Sequence, residues 1–291
     1  MRNAYTPFNE VDPEIIAADV QRALGEDLGA EQKDLSALII PSDRNLQGRI
    51  ICREAGVLSG KAWADACFRR VSAQVKTQWL VENGQKLEAG TVLCTIAGPA
   101  RAILTAERSA LNFLQTLSAT ATATAYAVAQ LKGTNTQLLD TRKTLPGLRM
   151  AQKKAVRDGG GVNHRVGLFD MILIKENHIA AAGSITQAVK TAARVAPDAP
   201  LQVEVETLNQ LEEALSVGVR HILLDNFDIE QMHAAVRLTE QRATLEASGN
   251  IEAEQLQTIA TTGVDFISSG ALTKHVRALD LSLQVEEAQT A

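Results

Sequence analysis

The chain has 291 residues, 45% of them hydrophobic and 3% aromatic, and carries a net charge of −5. That is enough apolar material for a sizeable core divided between two domains, and the acidic balance argues against a general nucleic-acid surface. Cys52, Cys67 and Cys94 are scattered without a Cys-x-x-Cys spacing, so neither a disulfide framework nor a zinc site is indicated. The opening stretch MRNAYTPFNEVDPE has no apolar core of signal-peptide length, and no later run is long enough to span a membrane. A cytoplasmic location is the expectation.

Asp12-Pro13-Glu14 starts a helix, with an N-cap, a proline at the first position and an acid in the first turn. It runs to about Gly25. Residues 47–58 read as a strand broken by Gly56, and residues 61–72 as a helix. Short strands and tight turns follow, with Asn83-Gly84 as a hairpin signal. The segment NGQKLEAGTVLCTIAG is similar to the hairpin repeats of biotinyl and lipoyl carriers, but no lysine sits at a tip, so its role is structural. Residues 102–131 read as one or two long helices, whose SATATATA run lets another helix come close.

From residue 137 strand and helix alternate. Strands read at 137–141, 171–175, 201–206, 221–225, 244–248 and 265–269. Ser184, Thr207 and Asp228 stand as N-caps, and Gly218 and Gly263 as stops. The expected fold is α/β: an N-terminal mixed α/β sandwich-like domain (residues 1–115, joined by the tail 280–291), then an incomplete, six- to seven-stranded parallel β/α barrel (residues 116–279). Side chains of a strand alternate between faces. Leu201, Val203 and Val205 should meet the helices, which turns Gln202, Glu204 and Glu206 toward the barrel axis. By the same rule His221, Leu223 and Asp225 share a face, as do Glu246 and Ser248.

Residues 138–178 hold the densest chemistry. From Arg142 to Lys175 there are eight lysines and arginines against two acids, a local excess of +6 in an acidic chain. Such an excess suits an anion. Arg142 and Arg165 offer planar forks that match carboxylate or phosphate oxygens in pairs, while Lys143 and Lys175 are compact point charges. Arg149, Lys153, Lys154 and Arg157 fit a solvated basic helix face. His164 follows the triple glycine 159–161, where backbone can approach a ligand. At the far end, Ser248-Gly249-Asn250 and Ser268-Ser269-Gly270 are paired small turns whose N–H groups can cradle a phosphate. Neither GxxxxGK[ST] nor a GxGxxG after a strand occurs, so no organic cofactor is indicated.

The segments DTRKTLPGLR, KxAVxxGGGxxHRxGLxD and LIKENH resemble the quinolinate phosphoribosyltransferases, the carboxylating nicotinate-nucleotide pyrophosphorylases of de novo NAD biosynthesis. The resemblance implies quinolinate and 5-phosphoribosyl 1-pyrophosphate as substrates, with Mg²⁺. It implies that Arg108, in the segment ERSALN, reaches the neighbouring subunit's site in a homodimer. It places Thr141, Arg142, Lys143, His164, Arg165 and Lys175 around the substrates, Glu204 and Asp225 at the ribose hydroxyls and the metal, and the 5′-phosphate near the two small turns. Lys143, Lys175, Glu204 and Asp225 form the catalytic set. Glu206 and Glu246 are expected as support, in ion pairs with nearby bases. Three alternatives stay open: a pyrophosphorylase on the same scaffold with another acceptor, a non-catalytic sensor of phosphoribosyl ligands, and a Schiff-base aldolase using Lys175.

Overall fold

The computed structural model describes Tyr5 and residues 10–285. In chain order its elements are α1 (Pro13–Leu28), β1 (Asn45–Cys52), β2 (Gly56–Val57), α2 (Lys61–Val71), β3 (Lys76–Trp79), β4 (Lys86–Leu87), β5 (Val92–Pro99) and α3 (Ala100–Gln130). Then come β6 (Gln137–Leu139), α4 (Arg149–Asp158), β7 (Ile172–Ile174), α5 (Glu176–Ala182), α6 (Ile185–Val195), β8 (Leu201–Val205), α7 (Leu208–Ser216) and β9 (His221–Asp225). The chain finishes with α8 (Ile229–Thr239), β10 (Thr244–Ser248), α9 (Leu256–Ala260), β11 (Phe266–Ser268), α10 (Ala271–Lys274) and β12 (Leu281–Val285). Among the described residues no helix is long and apolar enough to cross a membrane.

Two compact units divide these elements. The first holds described residues 10–125, 145–160 and 275–285. Its main sheet is antiparallel, in the order β12-β1-β5-β3. The end of the chain thus returns to this unit as an edge strand on β1; residues 286–291 of the expected tail lie outside the described residues. Asp12 caps α1 by accepting from the Glu14 N–H at 2.8 Å. Buried Trp63 of α2 donates its indole N–H to Asp19 of α1 at 3.0 Å, which fixes the two helices in register over a core that includes Phe68, Leu93 and Leu114.

Three expectations change here. Asn83-Gly84 does not close a hairpin: β3 pairs with β5, and β4 pairs with β2. A tight-turn dipeptide fixes only the local bend, while strand pairing follows from which apolar faces must be covered. Lys153 is not on a solvated face but fully buried in α4. Its neighbour Lys154 takes the ion pair with Asp158 one turn on. The first glycine of the triplet serves packing rather than a ligand. A Cβ on Gly159 would run into the Ala121 carbonyl and the Thr124 side chain of α3. The hydroxyls of the SATATATA run also work: Ser118 accepts from the Ser59 N–H at 3.0 Å, and Thr122 from the Val57 N–H at 2.9 Å.

The second unit holds Tyr5 and residues 126–144 and 161–274. Its six strands form one parallel sheet in the order β6-β11-β10-β9-β8-β7, with helices between them. Val162 adds a single parallel bridge to Leu139 beyond β6. Ser184, Thr207 and Asp228 each accept from the N–H three residues on, and Asp228 completes a capping box with Gln231. Val203, Val205, Ile222, Leu224, Leu245 and Ile267 pack against Leu211, Ala214, Met232 and Ile259 of the helices. The other strand face carries Gln202, Glu204, Glu246 and Ser268, all buried.

Gly159→Ala should destabilise the protein by about 1–3 kcal/mol, because the new methyl meets backbone and a β-branched side chain that cannot swing away. Urea unfolding checks this. An unchanged midpoint would show that α3 and α4 part easily.

Candidate active site at the carboxyl ends of the barrel strands

Strand register sets the order of side chains along the rim of the second unit. Glu204 lies beside Leu223, and Asp225 beside Ser248. Ser268 follows two residues after Phe266, the partner of Glu246. Lys175 sits at the end of β7, and Thr141-Arg142-Lys143 just past β6. The rim therefore runs, strand by strand, from cations through small residues and acids to a cation again. This is the end of a parallel sheet where ligands are usually held.

At one end Lys175 Nζ donates to Glu204 Oε2 at 2.6 Å. Burial pushes the Glu204 carboxyl above its ordinary range. Lys175 pulls it back, and Asp225 and Glu176 push it up again. Arg165 belongs to the same cluster. Burial lowers its pKa first and the Arg142 guanidinium lowers it further, while Asp170 and Glu204 oppose them. Two guanidinium groups are thus held within repulsive range of each other and partly out of water. Arg165 also donates to the Met171 carbonyl at 3.2 Å, and Asp170 ties the following turn by accepting from the N–H groups of Val166 and Gly167.

At the other end Lys143 lies against the Ser268-Ser269-Gly270 turn. A Cβ on Gly270 would fall 2.7 Å from Lys143 Cδ, so the bare glycine leaves the lysine its path. Thr141 Oγ1 accepts from the Lys143 N–H at 3.0 Å, and Thr273 Oγ1 donates to the Lys143 carbonyl at 2.8 Å. Ser269 Oγ donates to the Ile251 carbonyl at 3.1 Å, while the nearby Ser268 hydroxyl lowers the pKa of Glu246. The neighbouring turn is equally constrained. Gly249 has φ +116°, and any side chain there would strike the Asn226 amide. Asn226 in turn donates to Asp225 Oδ2 at 2.9 Å and takes the Ser248 carbonyl at 3.0 Å. Asn250 is exposed on the same turn, with φ +35°.

His164 is placed differently from the other predicted residues. It is buried one layer inside the rim, with Nε2 3.0 Å from Gln202 Oε1 and 3.2 Å from Glu246 Oε2. Glu246 Oε2 meets Tyr5, Gln202 and His164, none of them a lysine or arginine, and its Oε1 has no hydrogen-bond partner among the described residues. Glu206 is exposed beyond the strand end. Arg108 is exposed on α3 in the first unit. Tyr5 and Gln202 were missed as site-related residues. Gln202 was legible as an inward-facing position; Tyr5, far from the barrel strands in sequence, gave no signal. Among the described residues no group of three His, Cys, Asp or Glu side chains could hold a metal ion. The fit to Mg²⁺ is therefore a partial one: Glu204 and Asp225 suit a hard cation that takes most of its ligands from phosphate oxygens and water.

The family model for the C-terminal domain of quinolinate phosphoribosyl transferase matches residues 120–284, and that for the N-terminal domain matches residues 34–118. The chain belongs to the quinolinate phosphoribosyltransferase family. It is similar to the nicotinate-nucleotide pyrophosphorylase [carboxylating] of Mycobacterium leprae, at 42% identity over 91% of this chain and 95% of that protein. The probable enzyme of the same name from Bacillus subtilis is 41% identical, over 89% and 90% of the two chains. The solved structure of the nicotinate-nucleotide pyrophosphorylase from Francisella tularensis superposes with a TM-score of 0.92 at 41% identity, covering 97% of this chain and all of that one. Fold and family thus agree with the expectation of an incomplete barrel behind a mixed α/β domain.

If turnover needs ionised Glu204, it should fall on the acid side at a pH above the ordinary glutamate range. Asp225→Asn removes a like charge and should move that limb of the residual activity to lower pH; Lys175→Met removes an opposite charge and should move it up. A pH profile of kcat reads both shifts. Shifts in one common direction would remove Glu204 as the group responsible.

Proposed function

We propose that the chain transfers the phosphoribosyl group of 5-phosphoribosyl 1-pyrophosphate to the ring nitrogen of quinolinate. Pyrophosphate and CO₂ leave, and nicotinate mononucleotide forms. The observation that carries this reading is the clustering of Arg142, Arg165 and Lys175 on one rim, where two planar forks and a point charge suit a dianion such as a pyridine dicarboxylate. The 5′-phosphate would lie along the two small turns with Lys143 against them. Glu204 and Asp225 would face the ribose, and together they are the residues that would hold Mg²⁺, which when bound neutralises charge on the pyrophosphate.

The chemistry then follows from placement. Bond breaking at ribose C1 runs ahead of bond making, so positive charge builds on the sugar. The carboxylates of Glu204 and Asp225 stabilise it more than they stabilise the neutral sugar. Attack makes the pyridine nitrogen quaternary. The carboxylate on the neighbouring carbon departs as CO₂, its electron pair is held next to the cationic nitrogen, and that carbon then takes a proton. Arg142, Arg165 and Lys175 orient the two carboxylates so that only one lies beside the reacting nitrogen.

The active form is a homodimer in which Arg108 of each subunit completes the other's carboxylate pocket. Its exposure at the surface of α3 supports this reading. Arg108→Ala should raise KM for quinolinate at least tenfold, the cost of about one charge-assisted hydrogen bond, and leave KM for phosphoribosyl pyrophosphate within about twofold. Equal losses would count against the role. At quinolinate well below KM, mixing the impaired Arg108→Ala and Lys143→Ala subunits should restore part of the activity, since every mixed dimer holds one intact site. With subunit exchange verified, no recovery would mean self-contained sites. The direct test is incubation with quinolinate, phosphoribosyl pyrophosphate and Mg²⁺, with nicotinate as the parallel acceptor. Nicotinate mononucleotide and CO₂ from quinolinate alone are expected. Product from nicotinate, or from neither, would overturn the assignment of the acceptor.

A further inference from the structure

Beneath the rim lies a buried polar cluster that the reaction as described does not use. Its outermost contributor in sequence is Tyr5, which precedes the first barrel strand by more than a hundred residues yet is only 2% exposed. The ring packs edge-on to Phe266 at 4.7 Å and tilted against His164 at 5.2 Å, with His221 at 6.3 Å. His221 and Phe266 open their strands, so Tyr5 fills the barrel interior from the end opposite the rim. Its hydroxyl donates to Glu246 Oε2 at 2.8 Å and accepts from Gln202 Nε2 at 3.0 Å. Gln202 Nε2 also reaches Glu246 Oε2, at 2.7 Å.

The cluster ends on His164. Nδ1 of His164 accepts from the Arg165 N–H at 2.7 Å. An acceptor at Nδ1 leaves the proton on Nε2, which then donates to Gln202 Oε1 and Glu246 Oε2. The chain before the ring is pinned too: the His164 backbone N–H and the Asn163 side-chain amide both donate to Asp140, at 2.8 and 2.6 Å. Arg165 therefore leaves this cluster with its backbone fixed from below, and only its guanidinium reaches the rim.

Glu246 is the anchor. Burial raises its pKa, but the hydrogen-bond contacts with His164, Ser268 and Gln202 act the other way and keep it ionised. Burial, and then the charge of Glu246, push the Tyr5 phenol well above its ordinary range, so it stays protonated and donates. A carboxylate sealed from water needs every donor it has. Removing one frees Gln202 and His164 to rearrange.

We propose that Tyr5 is a positioning residue for the acid-binding arginine: through Glu246 and Gln202 it holds the His164 ring in one tautomer and orientation, and His164 sets the backbone of Arg165. The proposal rests on the reading of Arg165 as a quinolinate ligand. A merely structural tyrosine would matter through its ring, and a positioning one through its hydroxyl.

Tyr5→Phe separates the two, because it keeps the ring among His164, His221 and Phe266 and deletes only the donor. It should raise KM for quinolinate about tenfold, as expected for one lost hydrogen bond to a buried charge, with KM for phosphoribosyl pyrophosphate within about twofold. Nitrogen NMR of the His164 imidazole, assigned by comparison with His164→Asn, reads the same contact without substrate. The wild-type ring should be held as the Nε2–H tautomer, and the phenylalanine variant should show a mixture. An unchanged His164 signal, unchanged kinetics, or equal losses for both substrates would each overturn the proposal. If the wild type does not use quinolinate while the His164 signal still changes, the functional reading fails and the hold of Tyr5 on His164 stands.

Discussion

Everything in the second unit depends on where the inward-facing half of a parallel sheet puts its polar groups. Parallel strands covered by helices bury one face in apolar contacts, and period two leaves the alternate side chains inside the barrel. There a polar side chain has two outcomes. Near the carboxyl ends it lies at the open rim, as Glu204 and Asp225 do. Deeper in, it must find a protein partner, as Gln202, Glu246 and His164 do. One alternation thus yields both a reactive rim and a rigid layer beneath it. The layer below the rim is held by hydrogen bonds among Tyr5, Gln202, His164 and Glu246.

The two arginines show how the rim tolerates its own charge. Arg165 is tied by Met171 and the Asp170 turn, and Lys175 by Glu204. Each anchor is a modest interaction. Together they fix the cations of the rim in place before any ligand arrives. The small turns at Gly249 and Gly270 follow the same logic in steric form. A side chain at either place would displace Asn226 or Lys143, the neighbours of the acid and of the candidate phosphate cradle.

Much of this was legible in the sequence because it is local. Caps at Ser184, Thr207 and Asp228, the strand spans and the inward period of β8 are written in stretches of a few residues. The basic stretch and its family likeness were equally visible. What stayed hidden was pairing at a distance. Lys153 has the composition of a surface helix residue, yet α4 lies with that position inward. Asn83-Gly84 makes its turn, but the flanking strands find other partners. Tyr5 carries no pattern at all, and its importance comes from reaching a carboxylate 241 residues away.

The sheet's two ends have a consequence for the site. A ring of eight strands commits every inner backbone group to its neighbour, and a loop between strands must then rise above the rim. Here the sheet stops at β6 and β7, and residues 162–165 run along the β6 edge with a single bridge at Val162. The Val162 N–H goes to Leu138 and its carbonyl to Asp140, and from there the chain is released from ladder geometry. His164 turns to Gln202 and Glu246 while the Arg165 side chain reaches the Met171 carbonyl. The gap in the barrel is thus where the second arginine finds its place, at an edge that a complete barrel would have to close.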